Sequence, residues 1–456
     1  MKKLAIFLII LLAAGSTIGL AQEKKEGQPG EKLTFLANIR FRYEFQDNFN
    51  QKFYGDNPKR GSSDDGFLLG RFQLGVDYRP YKNIRLYLSM QDCEAWDNAL
   101  SDRSFYTETF GIENNPNKDR WELGETFLEV KKLFHLPLTF KGGRQKIAYG
   151  NNRVFGPGEW GNTGRWIWDA TKLSYEFNQG FIDVYYGRTL LHEPDEFSLN
   201  HRHGYESGGL YSHFELPDYL FNIMLEPFFM TKKDGHNRYK SENGRKGDLN
   251  SYYVGLRSYR NNFKGLDYDL TFITQRGDFS RDDIKAYGYH LFLGYNFKNI
   301  NFKPRLSMEY SFASGDSNPN DGDHETFDGA FGAKDRMYGR MNLFSWENLQ
   351  DAQINLEAKP REWLSFKAEF HQFWLAERKD AWYLNKKEYR DKTGRSGNEV
   401  GKECDIVAKV NLPKKNEIQV GFGHFWPGEF AKKKVSDSKA NWVFFQWEYK
   451  FSEKIF

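Results

Sequence analysis

Arg40 and Arg42 stand two residues apart in the segment ANIRFRYEFQ (37–46), with Glu44 two further on. A guanidinium presents a rigid fork of donors that meets a carboxylate or phosphate through two hydrogen bonds. Arginines spaced by two along one strand face are therefore suited to hold an anion and pass it along. The opposite face of the segment is Ile39, Phe41, Tyr43 and Phe45. Period-two alternation of this kind makes a β-strand with one polar and one apolar face. In a soluble sheet the apolar face packs on a core. In a membrane barrel it faces lipid, and the arginines face a channel.

Other groupings with chemical potential are thinner. In GDSNPNDGDHETFD (315–328), Asp316, Asn318 and Asn320 have calcium-loop spacing, but Asp321 stands where an EF-hand requires glycine. A polar loop accounts for that stretch without metal. HRHG (201–204) carries two histidines with no third ligand nearby, and RGD (276–278) is a bare tripeptide at a strand end. Catalysis by Ser, His and a carboxylate is the rival function class. His371, beside Glu369, is the histidine placed at an inward parity, and no nucleophile accompanies it in the pattern. Cys93 and Cys404 are the only cysteines and lie far apart, so the chain has neither a disulfide framework nor metal-type cysteine spacing, although one long-range bridge stays open. No cofactor is implied.

Which elements position these residues follows from the whole chain. At 456 residues it could be two or three soluble domains or one large barrel. Hydrophobic residues make up 39% and the mean hydropathy is −0.76, too polar for a helical membrane protein. After residue 20 no run approaches the roughly 20 apolar residues of a spanning helix, but barrels escape that test because half of each strand is polar. Aromatics reach 17% with only 14 prolines, as suits many long strands whose ends sit in membrane interfaces. The net charge is +3, and +1 without Lys2 and Lys3. That near-neutral balance argues against nucleic acid as a partner. Lys2 and Lys3, the apolar run LAIFLIILLAA and the small residues Gly19 and Ala21 describe a secretory signal over 1–21, cut before Gln22. A short polar linker (22–30) then leads to the folded region, 31–456.

Alternating segments recur to the C-terminus, among them 68–78, 83–90, 124–131, 303–312, 363–370 and 441–451. With weaker candidates they predict about eighteen strands. The connections alternate in length. RPYKN, KLFHLP, NQG, ELPDY, FKNIN, KPRE and LPKKN are short; 190–206, 232–249, 313–346 and 379–399 are long; the connection near 278–283 is a brief exception among the long ones. Short turns at one end and long loops at the other are the signature of an outer-membrane barrel. The expected fold is therefore all-β, a transmembrane antiparallel barrel with Ile39, Phe41, Tyr43 and Phe45 against lipid. By parity the lumen receives Arg40, Arg42, Arg71, Arg85, Arg257, Arg305 and Lys367, with Glu44, Asp77, Glu125, Glu129, Glu309 and Glu369 as countercharges. The last strand agrees: Phe445, Trp447, Tyr449 and Phe451 alternate with Gln446, Glu448 and Lys450, and SEKIF follows.

The stretch GRQKIAYGNNRVFGPGEWGNTGRWIWDATKLSY (143–175) resembles the alginate export family of outer-membrane barrels. The resemblance continues through SFASGDSNPNDGDHETFDGAF (311–331), FHQFWLAERKDAWY (370–383) and VGKECDIVAKVNLPKKNEIQVGFGHFWPGEF (400–430). It implies a barrel of about eighteen strands and an electropositive channel that passes an acidic polysaccharide. It also adds Arg144, Arg153, Arg165 and Asp169 as a mouth or constriction set. Arg144 falls in phase with Phe140, and Asp169 with Leu173 and Tyr175, which a bulge or a position above the membrane band would explain. The arginines are read either as an anion-selective path or as the ordinary solvation of a wet lumen. The expected function is passive conduction of an anionic oligo- or polysaccharide under a lid of long loops, with a general diffusion porin as the alternative. Expected partners are outer-membrane lipid, the barrel-assembly machinery and periplasmic secretion components of a bacterium with two membranes.

Overall fold

The computed structural model describes residues 31–456 except 56–62, 108–109, 195–196, 198–201, 218, 220–221, 335 and 386. The signal and linker (1–30), and His201 of HRHG, lie outside the described residues. Eighteen antiparallel strands form the wall. The first six are β1 (Lys32–Asp47), β2 (Asp65–Tyr81), β3 (Ile84–Trp96), β4 (Asp119–Val130), β5 (Leu138–Lys146) and β6 (Ile167–Phe177). Next come β7 (Gly180–Leu190), β8 (His203–Glu215), β9 (Met224–Lys240), β10 (Lys246–Phe263), β11 (Leu266–Phe279) and β12 (Asp282–Asn296). The last are β13 (Arg305–Ala313), β14 (Leu349–Arg361), β15 (Leu364–Leu375), β16 (Glu399–Leu412), β17 (Asn416–Pro427) and β18 (Ala440–Lys454).

Each strand pairs with its sequence neighbours, and β1 also pairs with β18 from Thr34↔Lys454 to Asp47↔Asn441, which closes the barrel. The tail SEKIF continues this seam rather than following it: the strand runs to Lys454, and Ile455 N donates to Leu33 O at 2.8 Å. Facing on β1 is as the alternation predicts. Arg40, Arg42 and Glu44 are buried inside, whereas Tyr43 and Phe45 are 48% and 44% exposed on the outer surface. A large apolar side chain is left exposed on a barrel wall only where lipid covers it.

The long and short connections do lie at opposite ends. One expected long loop is mostly strand: β9 and β10 extend through 232–249 and leave only 241–245 between them. Polar alternation in a strand that rises beyond the hydrocarbon band reads like a loop, because neither face needs to be apolar there. Outer-membrane barrels keep their short turns at the periplasmic end. Cys93 and Cys404 are both free.

At the long-loop end, neighbouring loops lock together. Asp380 accepts from Asp316 N at 3.0 Å and Thr326 Oγ1 at 2.6 Å, and pairs with Arg390 at 2.8 Å. Among the described residues no cluster of His, Cys, Asp or Glu converges as a metal site, this one included. Burial, with the carboxylates of Asp380 and Glu242 close by, pushes the Asp316 carboxyl up to about 7.

Two expectations follow from this wall. Phe41→Asp puts a charge against lipid, at a cost that depends on depth and reaches roughly 2–4 kcal/mol for a basic side chain at the midplane, less for an acidic one. Heat-modifiable gel mobility should show less folded barrel; an unchanged folded fraction would reverse the assigned facing. For Asp316 the folded state holds its proton more tightly than the unfolded chain. The stability this gives is full below the ordinary carboxyl range and is lost as pH rises through about 7. Limited proteolysis of the loop 314–348 should therefore be faster at pH 8.5 than at pH 5, and Asp316→Asn should abolish the difference.

Candidate functional site

Two long connections, 147–166 and 314–348, turn inward and meet inside the barrel. Gly156 N donates to Phe331 O at 3.1 Å and Phe331 N to Val154 O at 3.0 Å, so the two loops pair as a short parallel bridge. Their aromatic rings have no lipid to face and pack together. Phe155 meets Trp168 (5.1 Å) and Phe331 (5.5 Å), Trp160 lies between Trp442 (5.6 Å) and Phe444 (4.9 Å), and Phe344 stacks on Phe373 at 3.8 Å. Such pairs contribute about 0.5–1.5 kcal/mol each beyond their buried area. The lumen thus holds an apolar core of loop residues within a polar wall.

Charged wall residues hold the loops in place. Arg40 donates to Glu159 O (3.0 Å), Gly161 O (3.2 Å) and Asn162 Oδ1 (3.2 Å). Arg42 donates to Trp160 O at 2.7 Å, lies 3.8 Å over the Trp160 ring and pairs with Glu44 at 2.7 Å. The second loop is held by carboxylates: Met341 N donates to Glu403 at 2.9 Å, Arg340 N to Asp405 at 3.2 Å, and the Arg340 side chain pairs with Glu369. Gly339 makes that approach possible, since its φ is +79° and a Cβ there would sit 2.4 Å from Glu403 Oε1.

Beneath the loops lies a cavity of about 620 Å³, lined by Arg153, Arg305, Arg336, Arg340 and Lys367 and by Glu159, Asp269, Glu309 and Glu369. A second cavity, of about 450 Å³, shares Ala148 and Asn261 with it and adds Tyr149, Phe181, Tyr211, Tyr259, Glu226 and Arg257. Arg305 opens β13 directly after a short turn, and Asn261 and Asp269 flank another. The vestibule therefore lies on the short-turn side of the loops. Several of the cations around the two cavities are paired: Arg153 with Glu309 (3.3 Å), Arg257 with Glu226 (2.7 Å) and Asp269 (2.6 Å), Arg305 with Asp267 (3.0 Å) and Glu357 (3.2 Å).

The residues singled out in the sequence separate into groups. Arg153 and Arg305 line the larger cavity and Arg257 the smaller. Arg40 and Arg42 face inward but are spent on the loop backbone. Arg71, beside Asn38 (3.3 Å) and Glu448 (3.7 Å), and Arg85, on Asp77 (3.0 Å), lie elsewhere on the wall. Glu125 accepts from Lys146 N at 3.1 Å, and Arg165 is exposed on its loop over Trp166.

Arg144 and Asp169 depart from the lumen placement. Register sets Arg144 opposite Asp169 and Asp169 opposite Arg188, in the row of the exposed Leu173 and Tyr175, while Gln145, Trp168 and Thr189 form the inner row. β5, β6 and β7 pair without a register shift, whereas β4 shifts against β3 on both sides of Leu123 and Glu122. Arg144 binds Asp169 at 3.0 Å and Glu122 at 3.3 Å. Arg336 and Arg340 were missed because KDRMYGRM has no strand period from which to read a facing.

His371, the histidine at inward parity, meets no hydroxyl among the described residues. His371 bonds Asp351 at 3.0 Å and stacks on Phe373. His290 Nδ1 meets Ser311 Oγ at 3.0 Å, but that hydroxyl also accepts from Arg153 (3.3 Å), and Ser311 is only 2% exposed. His290 Nε2 lies 3.7 Å from Glu309, and His290 borders the larger cavity.

Removing the clamp should free its loop. Arg40→Ala with Arg42→Ala deletes buried, bonded charges, a change that typically costs ~3–5 kcal/mol. Single-channel recording should show a larger, noisier conductance from a barrel that still inserts; wild-type conductance would mean the loop is held elsewhere.

Solved structures share this architecture at low identity. The outer membrane protein OprD from Pseudomonas aeruginosa matches with TM-score 0.54 and 12% identity, covering 94% of this chain and 96% of that one. Acinetobacter baumannii OccAB2 matches with TM-score 0.60 and 11% identity over 92% and 98%, and Pseudomonas aeruginosa OccD3 with TM-score 0.57 and 11% identity over 92% and 91%. At such identities the likeness is one of fold. No curated protein matches the sequence. The alginate export family matches residues 31–445, nearly the whole folded region, and the chain belongs to that family of outer-membrane channels.

Proposed function

We propose that this outer-membrane channel passively conducts an acidic saccharide, selected in the vestibule beneath the two inward loops. The observation that carries this reading is the vestibule itself: five basic groups and four carboxylates around about 620 Å³. That volume is in the range, roughly 300–1,000 Å³, of pockets that enclose one small ligand, so only a short segment of a polymer fits at a time. A uronate carboxylate is a close match to the carboxylates that Arg153, Arg257 and Arg305 already bind, so it can replace them without leaving a guanidinium bare. Because these three cations each have a partner to return to, the bound segment can leave. Conduction requires binding strong enough to admit and weak enough to release. Tyr211, Tyr259 and Phe181 in the adjoining cavity add apolar faces with polar edges. The loop plug weighs against the alternative, a wide diffusion pore.

In this reading Arg40 and Arg42 act indirectly, by holding the loop that shapes the path. Residues 1–21 form a signal cleaved before Gln22, 22–30 a linker and 31–456 the barrel. Insertion is by the barrel-assembly machinery, and periplasmic secretion components deliver a long cargo.

Reversal potential across a planar bilayer under a salt gradient, with and without polyuronate, tests the reading. Wild type should prefer anions and be blocked by polyuronate. Arg257→Gln with Arg305→Gln leaves carboxylates unpaired in the path, so the preference should shift toward cations and block should weaken by about tenfold, the size expected for one lost charge-assisted bond. Weak selectivity and no block in wild type would leave a general porin.

A further inference from the structure

The charge of the two ends of the barrel is unequal. The nine long connections carry 24 basic and 24 acidic residues, whereas the eight short turns carry eight lysines and two carboxylates. The eight are Lys82, Lys131 and Lys132, Lys264, Lys298 and Lys303, and Lys414 and Lys415, spread over five of the eight turns, and all are exposed. Two have carboxylate partners, Lys131 with Glu129 at 3.8 Å and Lys303 with Glu362 at 3.2 Å. The other six have no ion pair among the described residues. No fold requirement explains them, since a two- to eight-residue turn needs glycine, asparagine or proline rather than lysine.

We infer that these turn lysines form a collecting rim for the acidic saccharide at the short-turn mouth, upstream of the vestibule. The inference rests on the saccharide reading of the vestibule and adds where the cargo is captured. Three observations favour it. The rim leads into the vestibule: the turn with Lys298 and Lys303 runs directly into Arg305, and the turn with Lys264 lies between Asn261 and Asp269. The vestibule lies on this side of the loops, so an anion gathered here meets no plug before it meets Arg305. The lysines surround the opening rather than forming one patch, which suits attraction toward an axis better than docking of a single protein partner. A cleft lined by one sign of charge focuses the field and raises on-rates by about 10–10³, with strong salt dependence, while isolated exposed charges are screened within about 8 Å at physiological salt.

Single-channel block by oligogalacturonate, added to one chamber at a time, tests the rim. A bulky maleimide added last to an Asn299→Cys channel marks the short-turn side. The sixfold variant is Lys82→Gln, Lys298→Gln, Lys132→Asn, Lys264→Asn, Lys414→Asn and Lys415→Asn. Asparagine is used at the last four because their φ values lie between +52° and +58°. Wild type should be blocked more often from the short-turn side, with a frequency that falls steeply as salt rises. The variant should lose about tenfold in that frequency, keep its dwell times, and be unchanged from the other side. Equal frequencies from both sides, or an unchanged variant, would overturn the rim and leave the saccharide reading standing. No block from either side would overturn that reading and the rim with it. A variant that keeps the asymmetry but no longer co-purifies with phosphatidylglycerol or cardiolipin would assign the lysines to lipid headgroups instead, and so overturn the rim.

Discussion

In hydrocarbon a backbone N–H or C=O has no water to turn to, so a sheet that crosses a membrane has to close on itself. Here that closure is the β1–β18 seam, from Thr34↔Lys454 to Asp47↔Asn441. Every later feature depends on it. Closure fixes two faces for each strand, and the side-chain period of two then assigns every residue to lipid or lumen at once. A slip of one residue at the seam would turn Arg40, Arg42 and Glu44 toward lipid and Phe41, Tyr43 and Phe45 inward. The apolar outer face and the charged inner face therefore enforce the same register, each against the other's misplacement.

A closed wall of eighteen strands leaves an interior too wide for its own side chains to fill. The inward loops fill part of it, and the wall is adapted to receive them. Trp442 and Phe444 sit on the inner row of β18, where a simple wet lumen would have polar residues, and they are there to pack against Trp160. Arg42 joins the two environments: one face of the guanidinium lies on the Trp160 ring while its edge binds Trp160 O and Glu44. This is a use of arginine that lysine could not repeat, because an ammonium has no flat face to stack. The same geometry at β16 is made with carboxylates, Glu403 and Asp405 binding the backbone at Met341 and Arg340.

Most of the wall could be read from the sequence because lipid is an exacting neighbour. Alternation over 37–46 and 441–451 has one physical solution once the loops alternate in length, and the structure follows it. The extracellular continuation of β9 and β10 was not legible, because above the membrane no face has to be apolar. Arg144 and Asp169 show a related limit: their phase was visible, but not the register shifts of β4 beside them. Least legible was the plug. Nothing in the spacing of Phe155, Trp160, Phe331 or Phe344 says that a loop turns inward, since that outcome depends on contacts between segments more than a hundred residues apart. The vestibule inherits that obscurity, because three of its five cations, Arg153, Arg336 and Arg340, are on those loops.

The pairing of lumen cations bears on how such a channel can select without trapping. An unpaired arginine in a narrow lumen would hold a polyanion tightly at every step, and each release would leave a bare charge in a poorly hydrated space. A paired arginine starts from a satisfied state. Arg257, between Glu226 and Asp269, and Arg305, between Asp267 and Glu357, each have two carboxylates within bonding distance. A passing carboxylate then competes with one resident partner while the other keeps the guanidinium in place. The free-energy difference between the loaded and empty states is thereby reduced to the difference between two similar ion pairs, which is small however strong either pair is. Selectivity survives this reduction, because a neutral sugar has nothing to offer in exchange and a cation would meet carboxylates already engaged. A near-neutral vestibule is thus compatible with a preference for anions, and the long-range attraction it lacks falls to whatever charge lies at the mouth.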